Sequence, residues 1–258
     1  MVEALFFDID GTLVSFNTHL IPESTVESLT EFKAKGGQIY ISTGRPVAII
    51  DNLSQIEHLI DGYITTNGAY CFVGSTVVSC SPINPEVVRE FLSRIQSAGY
   101  PCMVVGDRMT AMINPDENSR KVCSLLNIKE LPQIDVSRLI AQNVIQLTPI
   151  VTLTQEEELL CGLAGVESGR WHAAFTDLTA RGVNKALGLE RIAQYAGIDI
   201  ADTMAFGDGG NDIAIVKAAG IGVAMGNAGS ELKEVASYIT SSVDNDGIRN
   251  AMQHFGLI

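Results

Sequence analysis

Basic residues are scarce in this chain. Among 258 residues there are 17 Lys and Arg against 30 Asp and Glu, a formal net charge of −13. With no cluster of cations, it lacks the footprint of a nucleic-acid binder. Long apolar runs are missing too: none reaches the roughly 18 residues of a membrane-spanning helix. The start runs from Met1 straight into the strand-like Glu3-Ala4-Leu5-Phe6-Phe7, without the basic and long apolar regions of a secretory leader. The five cysteines (Cys71, Cys80, Cys102, Cys123 and Cys161) are odd in number, scattered and never spaced as CxxC. That argues against a disulfide framework or a zinc site and treats them as small buried hydrophobes in a reducing compartment. The expected location is therefore the cytoplasm, with no membrane and no obligate protein partner. Internal repeats, low-complexity tracts and long linkers are also absent.

What is present is an ordinary globular balance, 46% hydrophobic and 18% charged. An acidic protein that handles an anion must build its positive field locally, from a metal ion and one or two placed cations. Ala4 to Ile9 is a near-continuous apolar run, as in a strand buried on both faces. Pro22 opens a helix with Val26, Leu29 and Phe32 on one face, closed by Gly36-Gly37. Strands follow at Gln38 to Ser42 and Gly62 to Thr66, then a hairpin from Tyr70 to Cys80 turning at Gly74-Ser75.

The rhythm changes near Pro82. A helix from Pro85 to Gly99, strands at 101–105 and 108–113, and a polar helix from Glu117 to Asn127 follow. Then come a strand at Val144 to Ile150, a capping box of Thr154 and Glu157 ahead of Leu159, and a strand over Trp171 to Thr176. Alternation resumes from Lys185: a helix to Ala196, a strand at Met204 to Phe206, a helix after Asn211, a strand at Ile221 to Ala224 and a helix from Gly229. The expected fold is α/β: a doubly wound, Rossmann-like parallel-sheet core over 1–81 and 183–258, interrupted by an α+β unit over 82–182.

In open α/β sheets, ligands sit beyond the carboxyl ends of the strands. Four polar clusters fall there: Asp8-Ile9-Asp10-Gly11-Thr12, Ser42-Thr43-Gly44-Arg45, Lys185 at a helix start, and Gly207-Asp208-Gly209-Gly210-Asn211-Asp212. Asp8 and Asp10 are two apart, so in an extended chain they point to one side, about 6–7 Å apart. Two such carboxylates can straddle one phosphorus, one attacking while the other protonates the departing oxygen; crowding of like charge would favour a protonated acid. Asp208 and Asp212, across a Gly-Gly turn, are hard oxygen ligands suited to Mg²⁺. Thr43 with free N–H groups at a helix start is a phosphate seat. Each cluster also has a plain structural reading: an Asp-Gly turn, a helix N-cap, a Thr-Gly turn, a solvated lysine.

Together, in this order and strand context, the motifs resemble the haloacid dehalogenase superfamily of phosphohydrolases. The resemblance covers the full length and is to the class IIB, Cof-type branch, with its cap inserted between the second and third motifs. It is carried most strongly by Phe-Phe-Asp-Ile-Asp-Gly-Thr-Leu at 6–13 and Gly-Asp-Gly-Gly-Asn-Asp at 207–212. Asp61 to Phe72, Gly169 to Lys185 and His254-Phe255-Gly256 are similar to bacterial hexose-phosphate phosphatases of that branch. The resemblance implies Asp8 as nucleophile and Mg²⁺ ligand. It implies Asp10 as general acid and then base, with its backbone carbonyl on the metal. Thr43 and Lys185 would hold phosphoryl oxygens, Asp208 would ligate Mg²⁺, Asp212 would support the metal or Lys185, and Asn211 would reach the phosphate. Gly44, Arg45, Asn67 and Gly68 would line the entrance.

The implied substrate is a small phosphate monoester, a hexose phosphate above others. Specificity in this branch lies in the cap, which makes Arg170, Trp171 and Asp177 the substrate candidates, with Gly169 and His172 beside them. Trp171, the single tryptophan, is a stacking platform for a sugar or a core residue. The rival readings are a phosphosugar mutase, which shares the aspartyl-phosphate, and a phosphoacceptor signalling module. The second leaves Asp10 idle and has no cap.

Overall fold

The computed structural model describes residues 1–126, 128 and 131–258, with Trp171 described by its backbone alone. From the start the chain runs β1 (Ala4–Phe7), α1 (Glu23–Ala34), β2 (Gln38–Ser42), β3 (Gly62–Thr65), β4 (Tyr70–Val73) and β5 (Thr76–Cys80). Then come α2 (Pro85–Ala98), β6 (Cys102–Gly106), β7 (Thr110–Ile113), α3 (Glu117–Leu125), α4 (Val136–Leu139), β8 (Val144–Pro149), α5 (Leu153–Leu160), β9 (Val166–His172) and β10 (Phe175–Ala180). The last stretch is α6 (Lys185–Ala196), β11 (Thr203–Gly207), α7 (Ile213–Ala218), β12 (Ile221–Ala224), α8 (Ser230–Val235), β13 (Tyr238–Ile239) and α9 (Gly247–His254). The contacts divide the chain into a core unit (Met1–Arg45, Ile50–Ser79 and Asn184–Ile258) and an inserted unit (Pro46–Ile49 and Cys80–Val183). No helix among the described residues is long and apolar enough to cross a membrane.

The core unit is an α/β fold on a Rossmann-like sheet. Its strands lie in the order β13-β12-β11-β1-β2-β3-β4-β5. Those from β13 to β3 are parallel, and β4 adds an antiparallel neighbour to β3. Alternation along β1 explains why the sheet is covered on both sides. Leu5 and Phe7 face a cluster with Leu29 and Phe32 of α1 and Ile248, Ala251 and Met252 of α9. Ala4 and Phe6 face the opposite cluster, with Leu189, Ile192 and Ala193 of α6 and Ile215 and Val216 of α7. A strand apolar at every position is what such double burial requires.

The inserted unit is an antiparallel sheet, β7-β6-β8-β10-β9, with helices packed on one cluster. In α2, Val88, Phe91, Leu92 and Ile95 form the buried stripe, Asn84 caps the start through Glu86 N, and Gly99 (φ 72) ends it. Two local expectations are corrected here. The capping box is Thr152 with Gln155, not Thr154 with Glu157, because the helix already begins at Leu153 and Thr152 is the last extended residue. The single strand expected over Trp171 to Thr176 is a hairpin: β9 and β10 pair antiparallel with His172 opposite Phe175. Its turn, Ala173-Ala174, contains no Gly, Pro, Asn or Asp. It is held from outside by Arg170, whose Nη1 donates to the carbonyls of His172 (3.2 Å) and Ala173 (3.0 Å). The helix expected to end at Asn127 ends at Leu125; Asn127 itself lies outside the described residues.

Candidate active site

Strand register sets the site. Phe7 is level with Phe206 on one side and Ile41 on the other, so β1, β11 and β2 end together. Asp8, Asp208 and Thr43 leave the sheet at that common carboxyl edge. There the N–H groups of Asp8 and Thr43 make the last pairings, to Phe206 O (3.1 Å) and Ile64 O (2.8 Å), and the side chains project past the strand ends, where a ligand sits in such sheets.

Lys185, the first residue of α6 behind its Asn184 cap, is fully buried. Its Nζ lies 2.6 Å from Asp8 Oδ1 and 2.6 Å from Asp212 Oδ1. Asp212 uses its other oxygen on the N–H groups of Asp208 (3.1 Å) and Gly209 (3.0 Å). Asp212 therefore holds the lysine and braces the turn that carries Asp208. On Asp208, Oδ1 accepts from Thr12 Oγ1 (3.2 Å) and Oδ2 from Asn227 Nδ2 (3.2 Å). Gly11 (φ +89) is required between them: a Cβ there would lie 2.2 Å from Asp208 Oδ2.

The electrostatics of this cluster are dominated by burial and like charge. Burial, with the neighbouring Asp212, Asp208 and Asp10 carboxylates, raises the Asp8 pKa well above its ordinary value, against the pull of Lys185. Burial and then Asp212 push Asp208 up to about 7. Burial works against the Lys185 ammonium, but Asp212 and Asp8 more than offset it and hold its pKa above normal. Asp8, Asp208 and Asp212 each offer a carboxylate oxygen, all within 4.8 Å of one another. Three carboxylates sharing one ammonium leave an unneutralised negative charge among hard oxygen donors, which fits a small divalent cation.

Asp10 lies among the like charges that raise Asp8, as expected from the sequence, and also has a cationic partner. Its carboxylate is gripped by Arg45, Nε to Oδ2 at 2.7 Å and Nη2 to Oδ1 at 2.9 Å, the guanidinium being 8% exposed. Arg45 N donates to Thr43 Oγ1 (3.0 Å), which leaves the threonine hydroxyl proton as a donor. Asn67, in the left-handed region (φ 51), donates its N–H to Thr43 O (3.1 Å), and its Oδ1 accepts from Asn211 Nδ2 (3.1 Å). Gly68 (φ +95) approaches Asn184 so closely that a Cβ would meet its carbonyl oxygen at 2.1 Å. Thus Thr43, Arg45, Asn67, Gly68, Lys185 and Asn211 are linked by these contacts to the neighbourhood of Asp8, Asp10 and Asp208, and Gly44 lies between Thr43 and Arg45 in the chain.

The chain matches the family model of haloacid dehalogenase-like hydrolases over residues 5–252. It belongs to that family. A solved structure described as the HAD subclass IIB sugar phosphatase BT4131 superposes with a TM-score of 0.95 at 46% identity, covering all of both chains. YkrA of Bacillus subtilis is 31% identical over 256 residues, 98% of each protein. The 5-amino-6-(5-phospho-D-ribitylamino)uracil phosphatase YcsE of the same organism is 27% identical over 259 residues, 99% of this chain and 96% of that protein.

In this haloacid dehalogenase-like phosphatase the inserted-unit candidates have their own surroundings. Arg170 is committed within that unit: Nε to Glu156 Oε2 (2.6 Å), Nη1 to the hairpin carbonyls and Nη2 to Val151 O (3.0 Å). Its guanidinium supports the β9–β10 turn, so its charge is already answered. Asp177 is buried, with Oδ1 accepting from Thr148 Oγ1 (2.8 Å) and Gln146 Nε2 (3.1 Å). The side chain of Trp171 lies outside the described residues. Sequence reasoning passed over Thr12 and Asn227. Thr12 stood inside a quoted motif without a role. Asn227 lies in the loop three residues after β12 and, following Gly226, has no signal in the sequence beyond that of a turn.

Proposed function

We propose that this phosphatase is Mg²⁺-dependent and cytoplasmic, and that it hydrolyses sugar phosphates, hexose phosphates above all, through a phosphorylated Asp8. The observation that carries the reading is Asp8 itself: a buried carboxylate at a strand end, 2.6 Å from the Lys185 ammonium, with Asp208 and Asp212 oxygens within 4.8 Å. The sugar is supported by the 46% identity to a sugar phosphatase over the whole chain. The reducing compartment is supported by the scattered cysteines.

Asp8 attacks phosphorus with one carboxylate oxygen while the bond from phosphorus to the sugar oxygen breaks. Asp10, once its pair with Arg45 opens and it has taken up a proton, gives that proton to the departing oxygen. Water then attacks the acyl phosphate, Asp10 takes the water's proton, and the bond to Asp8 breaks to free inorganic phosphate. Lys185 and the Thr43 hydroxyl would hold the phosphoryl oxygens and answer their negative charge. Asp212 keeps the lysine in place. Asp8, Asp208 and the Asp10 carbonyl would hold Mg²⁺, which when bound offsets the repulsion between a carboxylate and a phosphate dianion. The inserted unit would act as the cap that selects the substrate.

The test is phosphate release by wild-type and Asp8→Asn protein from a panel of phosphorylated sugars and non-sugar monoesters, with and without a chelator. Turnover by clean Asp8→Asn protein would sink the covalent mechanism. Turnover that survives chelation would sink the metal. A preference for non-sugar monoesters would sink the substrate class, and transfer to a second sugar hydroxyl without phosphate release would make the enzyme a mutase.

A further inference from the structure

We infer that Asn227 is a positioning residue that sets the affinity of this site for Mg²⁺, by locking the proposed ligand Asp208 to the loop that carries Asp8. The inference rests on the metal reading above. Asn227 follows β12, and its side-chain amide meets three partners. Oδ1 accepts the N–H of Val243 (3.0 Å). Nδ2 donates to Gly11 O (2.9 Å) and to Asp208 Oδ2 (3.2 Å). A donor on one side and two acceptors on the other allow a single orientation of the amide, so the NH₂ group is aimed rather than merely nearby.

The consequence is geometric. Asp208 sits on the loop after β11 and Gly11 on the loop after β1, adjacent strands whose register ends there. Gly11 and Asp208 are already packed so tightly that a Cβ would not fit, and the one NH₂ group bonds both. Thr12 Oγ1 holds the other Asp208 oxygen from the first loop as well (3.2 Å). Each Asp208 oxygen thereby carries one neutral hydrogen bond and keeps a lone pair for a cation, with its plane fixed. Val243 N–H anchors the amide from a third segment, so the carboxylate does not have to be ordered when the cation arrives. Outer-sphere partners of this kind are worth about 10- to 100-fold in metal affinity.

The experiment measures Mg²⁺ binding by calorimetry, and by the Mg²⁺-induced thermal shift, on metal-free wild-type protein, Asn227→Ala and Asn227→Ser. Thr240→Val is the control: it removes another buried hydrogen bond, Thr240 Oγ1 to Gly247 O (2.6 Å), without touching either loop. The Kd for Mg²⁺ is expected to rise about tenfold or more in the Asn227 variants and to stay within about twofold of wild type in Thr240→Val. The Mg²⁺ concentration for half-maximal turnover should rise with the Kd, while turnover at saturating Mg²⁺ falls by less than the affinity does. If Asn227→Ala does not fold, Asn227→Ser is read the same way. An unchanged Kd in the Asn227 variants overturns the inference. So does an equal loss in Thr240→Val, which would reduce the effect to general destabilisation. Wild-type protein that binds no Mg²⁺ would instead remove the metal reading beneath it.

Discussion

Lys185 Nζ stands 2.6 Å from Asp8 Oδ1 with none of the lysine side chain exposed. An ammonium so enclosed is kept charged by the carboxylates it touches, Asp8 and Asp212. Lys185→Met should therefore act twice. Phosphate release should fall about 10²- to 10³-fold or more, the scale for removing one preorganised charge-stabilising group. Breaking the buried ion pairs should cost about 3–5 kcal/mol in metal-free protein, measured by urea unfolding. Near-normal turnover in the folded variant would take Lys185 out of the reaction.

Asp10 is expected to show its role through the leaving group. Asp10→Asn should lower turnover of a hexose phosphate about 10²- to 10⁴-fold, because the alkoxide needs a proton. An aryl phosphate, which departs as a stable phenolate, should suffer far less in the first step. The contrast is read from kcat/KM for the two substrates. Equal losses in kcat/KM would show that Asp10 matters to the first step through its ion pair with Arg45 and not as the acid.

The metal-free protein should lose stability as pH rises. Asp208 is pushed up to about 7 from an ordinary value of 3.8, and Asp8 is raised as well. The folded state thus keeps protons that the unfolded chain has released. That contribution is fully present below the unfolded pKa and is lost as pH climbs through the folded one. Thermal unfolding in chelator from about pH 5 to about pH 8 should show a falling Tm. The stabilisation given by Mg²⁺ should grow over the same range, since the cation takes the place of the protons. A Mg²⁺ shift equal at both ends would contradict this coupling.

Arg170 is expected to behave as a structural residue of the inserted unit. Arg170→Ala leaves Glu156, 6% exposed, without its guanidinium and frees three carbonyls. The cost should be about 3–5 kcal/mol, with loss of turnover on hexose and aryl phosphates alike after heating. Pairing it with Glu156→Leu should recover part of that stability, because the orphaned charge is gone. A variant of wild-type stability with a raised KM for the hexose phosphate alone would return Arg170 to the substrate.

Much of the core was legible because its signals are local. The apolar run at Ala4–Phe7 and the glycine-bounded strands announce a sheet covered on both faces, and polar clusters at their carboxyl ends mark where a ligand belongs. The inserted unit was harder to read. Its β9–β10 turn is made of two alanines and stabilised by Arg170, so the residues of the turn carry no turn chemistry of their own. The same holds for Asn227: an asparagine after a glycine reads as loop punctuation until Gly11 and Asp208 are found beside it.

The amino-acid order settled which side chains are chemically able to attack, protonate, neutralise or ligate, and at which strand ends they emerge, since periodicity and turn chemistry are short-range. Folding alone decided the partners. Arg45 closes on Asp10 across 35 positions, and Lys185 reaches Asp8 across 177 and Asp212 across 27. The sequence reading set Arg45 at an entrance and Asp10 among like charges; the structure joins the two into one ion pair. A charge takes its character from what lies within a few ångströms, and for residues this far apart in the chain that neighbourhood exists only once the strands are in register.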